Sequence, residues 1–170
     1  IGAVAGSWMV SGVVPTMIYY GMKVIIPEIF LLATCAISAL IAIMTGSSWT
    51  TIATVGVALV GIGTAQGYEP GWIAGAIISG AYFGDKVSPL SDTTVLASSA
   101  SGTPLFTHIR FMMITTVPSF VISILIFLTV SLLHDTPDAA MTADFSEDLA
   151  STFNISPWLL LVPVLTGLLI

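Results

Sequence analysis

Residues 74–99 read AGAIISGAYFGDKVSPLSDTTVLASS: an apolar run, a cluster of ionisable and hydroxyl residues around a proline, then a second apolar run. Asp85, Lys86 and Asp92 fall within eight positions, flanked by stretches too apolar for a solvated loop. Near the centre of a membrane helix one such side chain costs about 2.5–3.5 kcal/mol on insertion scales, so three together need a compensating environment or a purpose. Pro89 supplies a backbone reason for a break there. It has no N–H to donate, and its ring clashes with the carbonyl four residues earlier, that of Asp85. Ser88, preceding the proline, is pushed out of the α region, and Ser91 can cap the next helix with Asp92 in its first turn. The expected result is one unwound segment over 85–94. It would hold two carboxylates, the hydroxyls of Ser88, Ser91, Thr93 and Thr94, and main-chain oxygens freed from helical partners.

The rest of the chain supports a membrane setting. Of 170 residues 56% are hydrophobic and only 7% charged, against roughly 25% charged in soluble domains. The formal net charge is -6. Lys23, Lys86 and Arg110 cannot make the basic face that a nucleic-acid partner requires. Cys35 is the single cysteine, which excludes a disulfide scaffold. With His108 and His134 far apart in sequence, each beside an expected membrane boundary, a zinc or copper centre is not expected. Asp135, Asp138, Asp144, Glu147 and Asp148 fall in one stretch, and 134–157 reads as an acidic extramembrane loop.

Working outward, residues 2–22 form a span kinked at Pro15, and Glu28 to Thr45 form the next apolar helix. That helix stops at Gly46-Ser47-Ser48-Trp49-Thr50-Thr51. The helix after it, Ile52 to about Gln66, covers only ~22 Å at 1.5 Å per residue, and reads as a half-helix. Gly71 to Gly84 form another short helix, whose Gly71, Gly75 and Ser79 make a small-residue stripe. With Gly80 and Gly84, these glycines are read as positions where membrane helices approach closely. A third short helix runs from about Ser91 to Ser101, and Phe111 to Leu133 is a full span. The expected fold is an all-α membrane protein, a polytopic carrier with broken helices. Residues 46–51 are either the tip of a re-entrant hairpin or a link between full spans. Residues 1–170 read as part of one transmembrane transporter domain, an internal piece of a longer chain.

Ser48-Trp49-Thr50-Thr51 repeats the Ser-x-Thr-Thr pattern of Ser91-Asp92-Thr93-Thr94. A second unwound segment carrying Ser47, Ser48, Thr50 and Thr51 is therefore expected to meet the first. Irregular backbone at membrane depth is tolerated where it lines a cavity, as in the ion sites of secondary transporters. An all-oxygen inventory suits a hard cation such as Na⁺, placed here on Asp85 and Asp92. The plainer alternatives are an interfacial ion pair between Asp85 and Lys86, a cap role for Asp92, and ordinary capping by the hydroxyls. Trp8, Trp72 and Trp158 read as interface residues, Trp49 as a cavity wall, His108 and Arg110 as interfacial anchors.

The strings TGSSWTTIATVGVALVGIG (45–63) and AGAIISGAYFGDKVSPLSDTTVLASS (74–99) make the sequence resemble the NhaC family of Na⁺/H⁺ antiporters, with a softer match through His108 and Arg110. The resemblance implies a multi-pass carrier of the cell's inner membrane, exchanging Na⁺ for H⁺ by alternating access, with carboxylates shared between cation and proton. Its partners would be the bilayer, Na⁺ and H⁺, with no cofactor beyond the transported ions; a homodimer is entertained. Val95 stands where the family pattern often has Asn, which removes one ligand or orienting group. The alternative is exchange of organic acids of the malate or lactate type against cations, with an anion subsite at the helix N-termini at Ser47 or Ser91. An intramembrane aspartyl protease is disfavoured, because Asp85 and Asp92 lie seven apart around Pro89, whereas paired catalytic aspartates come from different helices.

Overall fold

In the computed structural model, which describes residues 2–134, 147–163 and 165, the chain is helical and the described residues form no strand. Helix α1 (Gly2–Val10) and helix α2 (Val13–Val24) are separated at Gly12, whose φ of +85° is left-handed. The break therefore lies at the glycine rather than at Pro15. Pro15 sits in the first turn of α2, where its missing N–H has no helical acceptor to lose. Trp8 is buried in the core, not at an interface.

After a 3₁₀ turn over Pro27–Ile29, helix α3 (Phe30–Thr45) runs to Gly46, whose φ of +65° reverses the chain. Ser47 is extended and caps α4 (Ser48–Thr51), its hydroxyl accepting from the Thr50 N–H at 3.2 Å. A π-turn over Ile52–Gly56 joins α4 to α5 (Val57–Ala65) without interruption. The expected half-helix is thus a helix of 18 residues, Ser48–Ala65, about 27 Å long. Its start moved four residues upstream because Ser47 caps it. The hydroxyls of Thr51 and Thr54 donate to the carbonyls of Ser47 and Thr50, at 2.9 and 2.6 Å, a back-bond that bends helices where the π-turn lies.

Pro70 opens α6 (Pro70–Val87) from the first-turn position. The helix continues past Gly84, so Asp85 and Lys86 occupy its last turn instead of unwound chain. Only Ser88–Ser91 is non-helical before α7 (Asp92–Ala100). Then α8 (Leu105–Leu133) runs 29 residues through Pro118, with Ile109, Phe127 and Ser131 buried. Pro27–Thr45, Ser48–Ala65 and Leu105–Leu133 are each long and apolar enough to cross a membrane. Of the acidic stretch, 135–146 lies outside the described residues, whereas 147–152 is helical.

The α3 and α6 helices run parallel and touch through backbone. A Cβ on Gly80 would strike the Cys35 carbonyl, and one on Gly84 would strike the Ala39 carbonyl and lie 2.6 Å from the Ala42 Cβ. Gly75 has only Phe127 nearby, at 3.8 Å, and Gly71 meets nothing within 4 Å. Close packing is therefore made by Gly80 and Gly84; at Gly71 it is absent among the described residues. At the start of α3 and α6, Tyr68 donates to the Pro27 carbonyl (2.9 Å), its phenol oxygen lies 3.3 Å from Ser131 Oγ, and its ring stacks on His134 at 3.9 Å. Burial pushes the Tyr68 phenol above its ordinary pKa, so it stays a donor at neutral pH. This cluster pins one end of four helices, and the breaks lie at the other.

Candidate cation site

The two breaks meet. A Cβ on Gly46 would sit 2.6 Å from the Leu90 carbonyl carbon and oxygen, so the first reversal is packed directly on the second. Ser88 staples them: its hydroxyl donates to the Ile43 carbonyl at 2.7 Å and accepts from the Leu90 N–H at 3.2 Å. Because the donor and one lone pair of Ser88 are spent, its main work is structural.

The bridge across the breaks is Asp85. Ser48 Oγ, buried in the first turn of α4, donates to Asp85 Oδ2 at 3.0 Å. The other carboxylate oxygen, Oδ1, is enclosed and has no hydrogen-bond partner. A carboxylate accepts up to about four hydrogen bonds, and an enclosed acceptor left unmade costs about 1–3 kcal/mol or more. Either a proton or a cation at Oδ1 removes that cost. The Asp85 carbonyl, freed by Pro89, accepts from Thr94 Oγ1 at 3.4 Å, with the Lys86 carbonyl at 3.5 Å from the same hydroxyl.

Asp92 is placed differently. It is exposed, and its Oδ1 accepts from the Thr93 N–H at 3.1 Å. Ser91 Oγ shares a hydrogen with Thr93 Oγ1 at 2.8 Å and makes no side-chain cap bond to the backbone. Thus Asp85, Ser48, Ser88 and Thr94 converge, whereas Asp92 and Thr93 stand outside that convergence. On the first break, Ser47 Oγ is held between Thr50 N and Thr50 Oγ1, and Ser48, Thr50 and Thr51 belong to a helical turn rather than to unwound chain. Trp49 is 71% exposed. The Asp85–Lys86 ion pair is not formed: Asp85 turns to α4, and Lys86 has no ionic partner among the described residues.

Thr45 is a participant that the sequence reading missed. Its hydroxyl lies 3.5 Å from Thr51 Oγ1 and 3.4 Å from the Ser47 carbonyl. A hydroxyl directly before a helix-ending glycine was the available signal.

The level of Asp85 along the bundle follows from helical rise. Asp85 lies fifteen residues beyond Pro70, about 22 Å along α6. The antiparallel α8 reaches from Ser131, in the Tyr68 cluster, to Arg110 in about 32 Å, close to the ~30 Å of a hydrocarbon layer. Phe83 stacks on Phe120 at 3.9 Å, which sets the register and puts Asp85 level with a point about two-thirds of the way along α8 from Ser131 to Arg110.

The model of the Na⁺/H⁺ antiporter family matches residues 80–170. The chain is 46% identical, over 99% of its length, to the Na⁺/H⁺ antiporter NhaC of Alkalihalophilus pseudofirmus. It is 44% identical over its whole length to the malate-2H⁺/Na⁺-lactate antiporter of Bacillus subtilis. To the arginine/ornithine antiporter ArcD of Halobacterium salinarum it is 40% identical over 94% of the chain. The chain spans 37%, 37% and 34% of these relatives' own lengths. No solved structure matches it.

Proposed function

Since the chain belongs to the Na⁺/H⁺ antiporter family, we propose that the protein of which it is part exchanges Na⁺ for H⁺ across the cell's inner membrane by alternating access. The observation that carries the reading is the divided state of Asp85: one oxygen held by Ser48 from the opposite break, the other enclosed and unpartnered. Na⁺ binds at Oδ1, with hydroxyl and carbonyl oxygens of the two breaks as further ligands. A proton on the same carboxyl removes the charge that the cation needs, so the two ions exclude each other and one pathway serves both. Asp92 is the second acidic group, exposed at the start of α7 and available to a cation entering or leaving. Ser91, Thr93 and Thr94 hold the turn between the two acids. Competition at one group has a defined sign: acidification weakens apparent Na⁺ affinity, by up to about tenfold per pH unit once protonation dominates.

The test is Na⁺-triggered proton movement in vesicles holding the full-length protein. Asp85→Asn keeps the shape, removes the charge and is expected to abolish exchange. Unchanged exchange in Asp85→Asn overturns the reading.

A second reading, exchange of small carboxylates linked to Na⁺ or H⁺, draws support from the 44% identity to a relative named for malate and lactate. Transport that depends strictly on added malate or lactate would favour it over simple cation exchange.

A further inference from the structure

Asp85 and Lys86 are neighbours on a helix, so their side chains leave it about 100° apart. Asp85 meets α4 through Ser48, whereas Lys86, itself exposed, lines a separate cavity of about 170 Å³ between α6 and α8 that is open to the outside. No acidic residue lines that cavity. The Lys86 ammonium has no ionic partner among the described residues, and the hydroxyls of Ser79, Tyr82 and Thr116, on the same walls, make no hydrogen bond there. The Phe83–Phe120 stack, 3.9 Å between centroids and 12° from parallel, supplies an apolar wall.

We propose that this cavity is a subsite for a small carboxylate anion, its charge on Lys86, its oxygens on the three hydroxyls and its carbon chain on the phenylalanine pair. The inference deepens the second functional reading and rests on it for the substrate class. Four features select the ligand. The ammonium carries a charge that only an anion can neutralise, and three donors without acceptors match the lone pairs of a carboxylate or hydroxy acid. An aromatic wall suits carbon better than the bare oxygens of phosphate. The cavity, about 170 Å³ and open on one side, admits a three- or four-carbon acid. Its position explains how an anion would couple to the cation: Asp85 and Lys86 are consecutive on one helix end, so a movement of that turn reaches both sites.

The experiment uses the full-length protein in phosphatidylcholine nanodiscs, with radiolabelled L-lactate and L-malate as probes and inorganic phosphate as control. At least one acid is expected to bind in a saturable way. Lys86→Gln should weaken it tenfold or more, Lys86→Arg should restore most of the affinity, and Thr116→Val, nearly isosteric, should weaken it about threefold. Kd values within twofold of wild type in both Lys86→Gln and Thr116→Val overturn the assignment. So does phosphate binding tighter than either acid. Na⁺-triggered proton movement, measured without organic acid, separates the two claims. A wild-type protein that exchanges Na⁺ for H⁺ yet binds neither acid refutes the subsite and leaves the cation reading standing. One that binds acid through Lys86 but moves no protons supports the subsite and refutes the cation reading.

Discussion

The two chain breaks share a sequence pattern but not a structure, and the helix caps show why. In the first break Ser47 is the capping residue, which puts Ser48 at the first helical position, Trp49 at the second and Thr50 at the third. In the second break Ser91 is the capping residue, so the corresponding positions are Asp92, Thr93 and Thr94. Aligned by their caps, the Ser-x-Thr-Thr strings are one residue out of register. The first helical position is then Ser48 in one break, buried and donating to Asp85, and Asp92 in the other, exposed. A neutral donor faces inward where its counterpart is an acid facing out. The carboxylate of the inner site comes instead from the helix that ends at the second break. Two similar turns thus divide the labour: one supplies the donor, the other the acceptor.

The largest expected contrast is between the two acids. If the carboxylate enclosed at the junction is the shared one, Asp85→Asn loses exchange outright, whereas Asp92→Asn keeps measurable exchange with a shifted Na⁺ dependence. Equal loss in both would dissolve the distinction between inner and outer acid. Next comes the junction itself. Gly46→Ala places a Cβ on a residue at φ +65° and drives it into the Leu90 backbone. Left-handed backbone costs a non-glycine residue about 1–2 kcal/mol and overpacking about 1–3 more. A thermal-unfolding midpoint well below wild type is expected in detergent, with exchange impaired. A Gly71→Ala control, where nothing lies within 4 Å, should leave the midpoint unchanged or raise it slightly.

Composition and run lengths made the membrane class and the all-helical fold legible, and the Asp85–Thr94 string marked the candidate site. What was hidden is instructive. Gly80 and Gly84 pack on α3 while Gly71 does not, because spacing gives a helical face but not how far along it a neighbour extends. Both breaks looked longer than they are. Hydroxyl residues favour caps and loops in isolation, yet Thr50 and Thr51 satisfy themselves on Ser47 and remain helical. The proline at 15 drew attention from Gly12, since a proline is neutral in a first turn and disruptive only later. Nothing in the local sequence states that Ser48 and Asp85, 37 residues apart, are hydrogen-bonded. That follows only from α3 and α6 running parallel, with their glycines bringing both breaks to one level.

A smaller effect sharpens the pairing of donor and acceptor. Ser48→Ala removes the one hydroxyl on Asp85 Oδ2. Hydrogen bonds to charged groups are worth about 1.5–3 kcal/mol, and the partial exposure of Asp85 argues for about 1 kcal/mol after screening. Because that bond favours the ionised carboxylate, its loss helps the proton against Na⁺. Apparent Na⁺ affinity should fall roughly fivefold, more at acid than at alkaline pH, as measured by Na⁺ titration of proton release. A decrease of the same size at every pH would mean that Ser48 acts as a cation ligand and not through the charge of Asp85.

The smallest effect tests the caps. Ser47 accepts from the Thr50 N–H, so Ser47→Ala leaves that donor short of a partner and costs about 1 kcal/mol. Ser91 makes no such bond to the backbone, and its hydroxyl is shared with the exposed Thr93. Ser91→Ala should therefore cost half of that or less, read as the smaller of two shifts in unfolding midpoint. Were the order reversed, Ser91 would be acting as the cap and the one-residue offset between the breaks would disappear. Ser48 and Asp92 would then no longer be counterparts, and the division between a donating and an accepting turn would lose its structural basis.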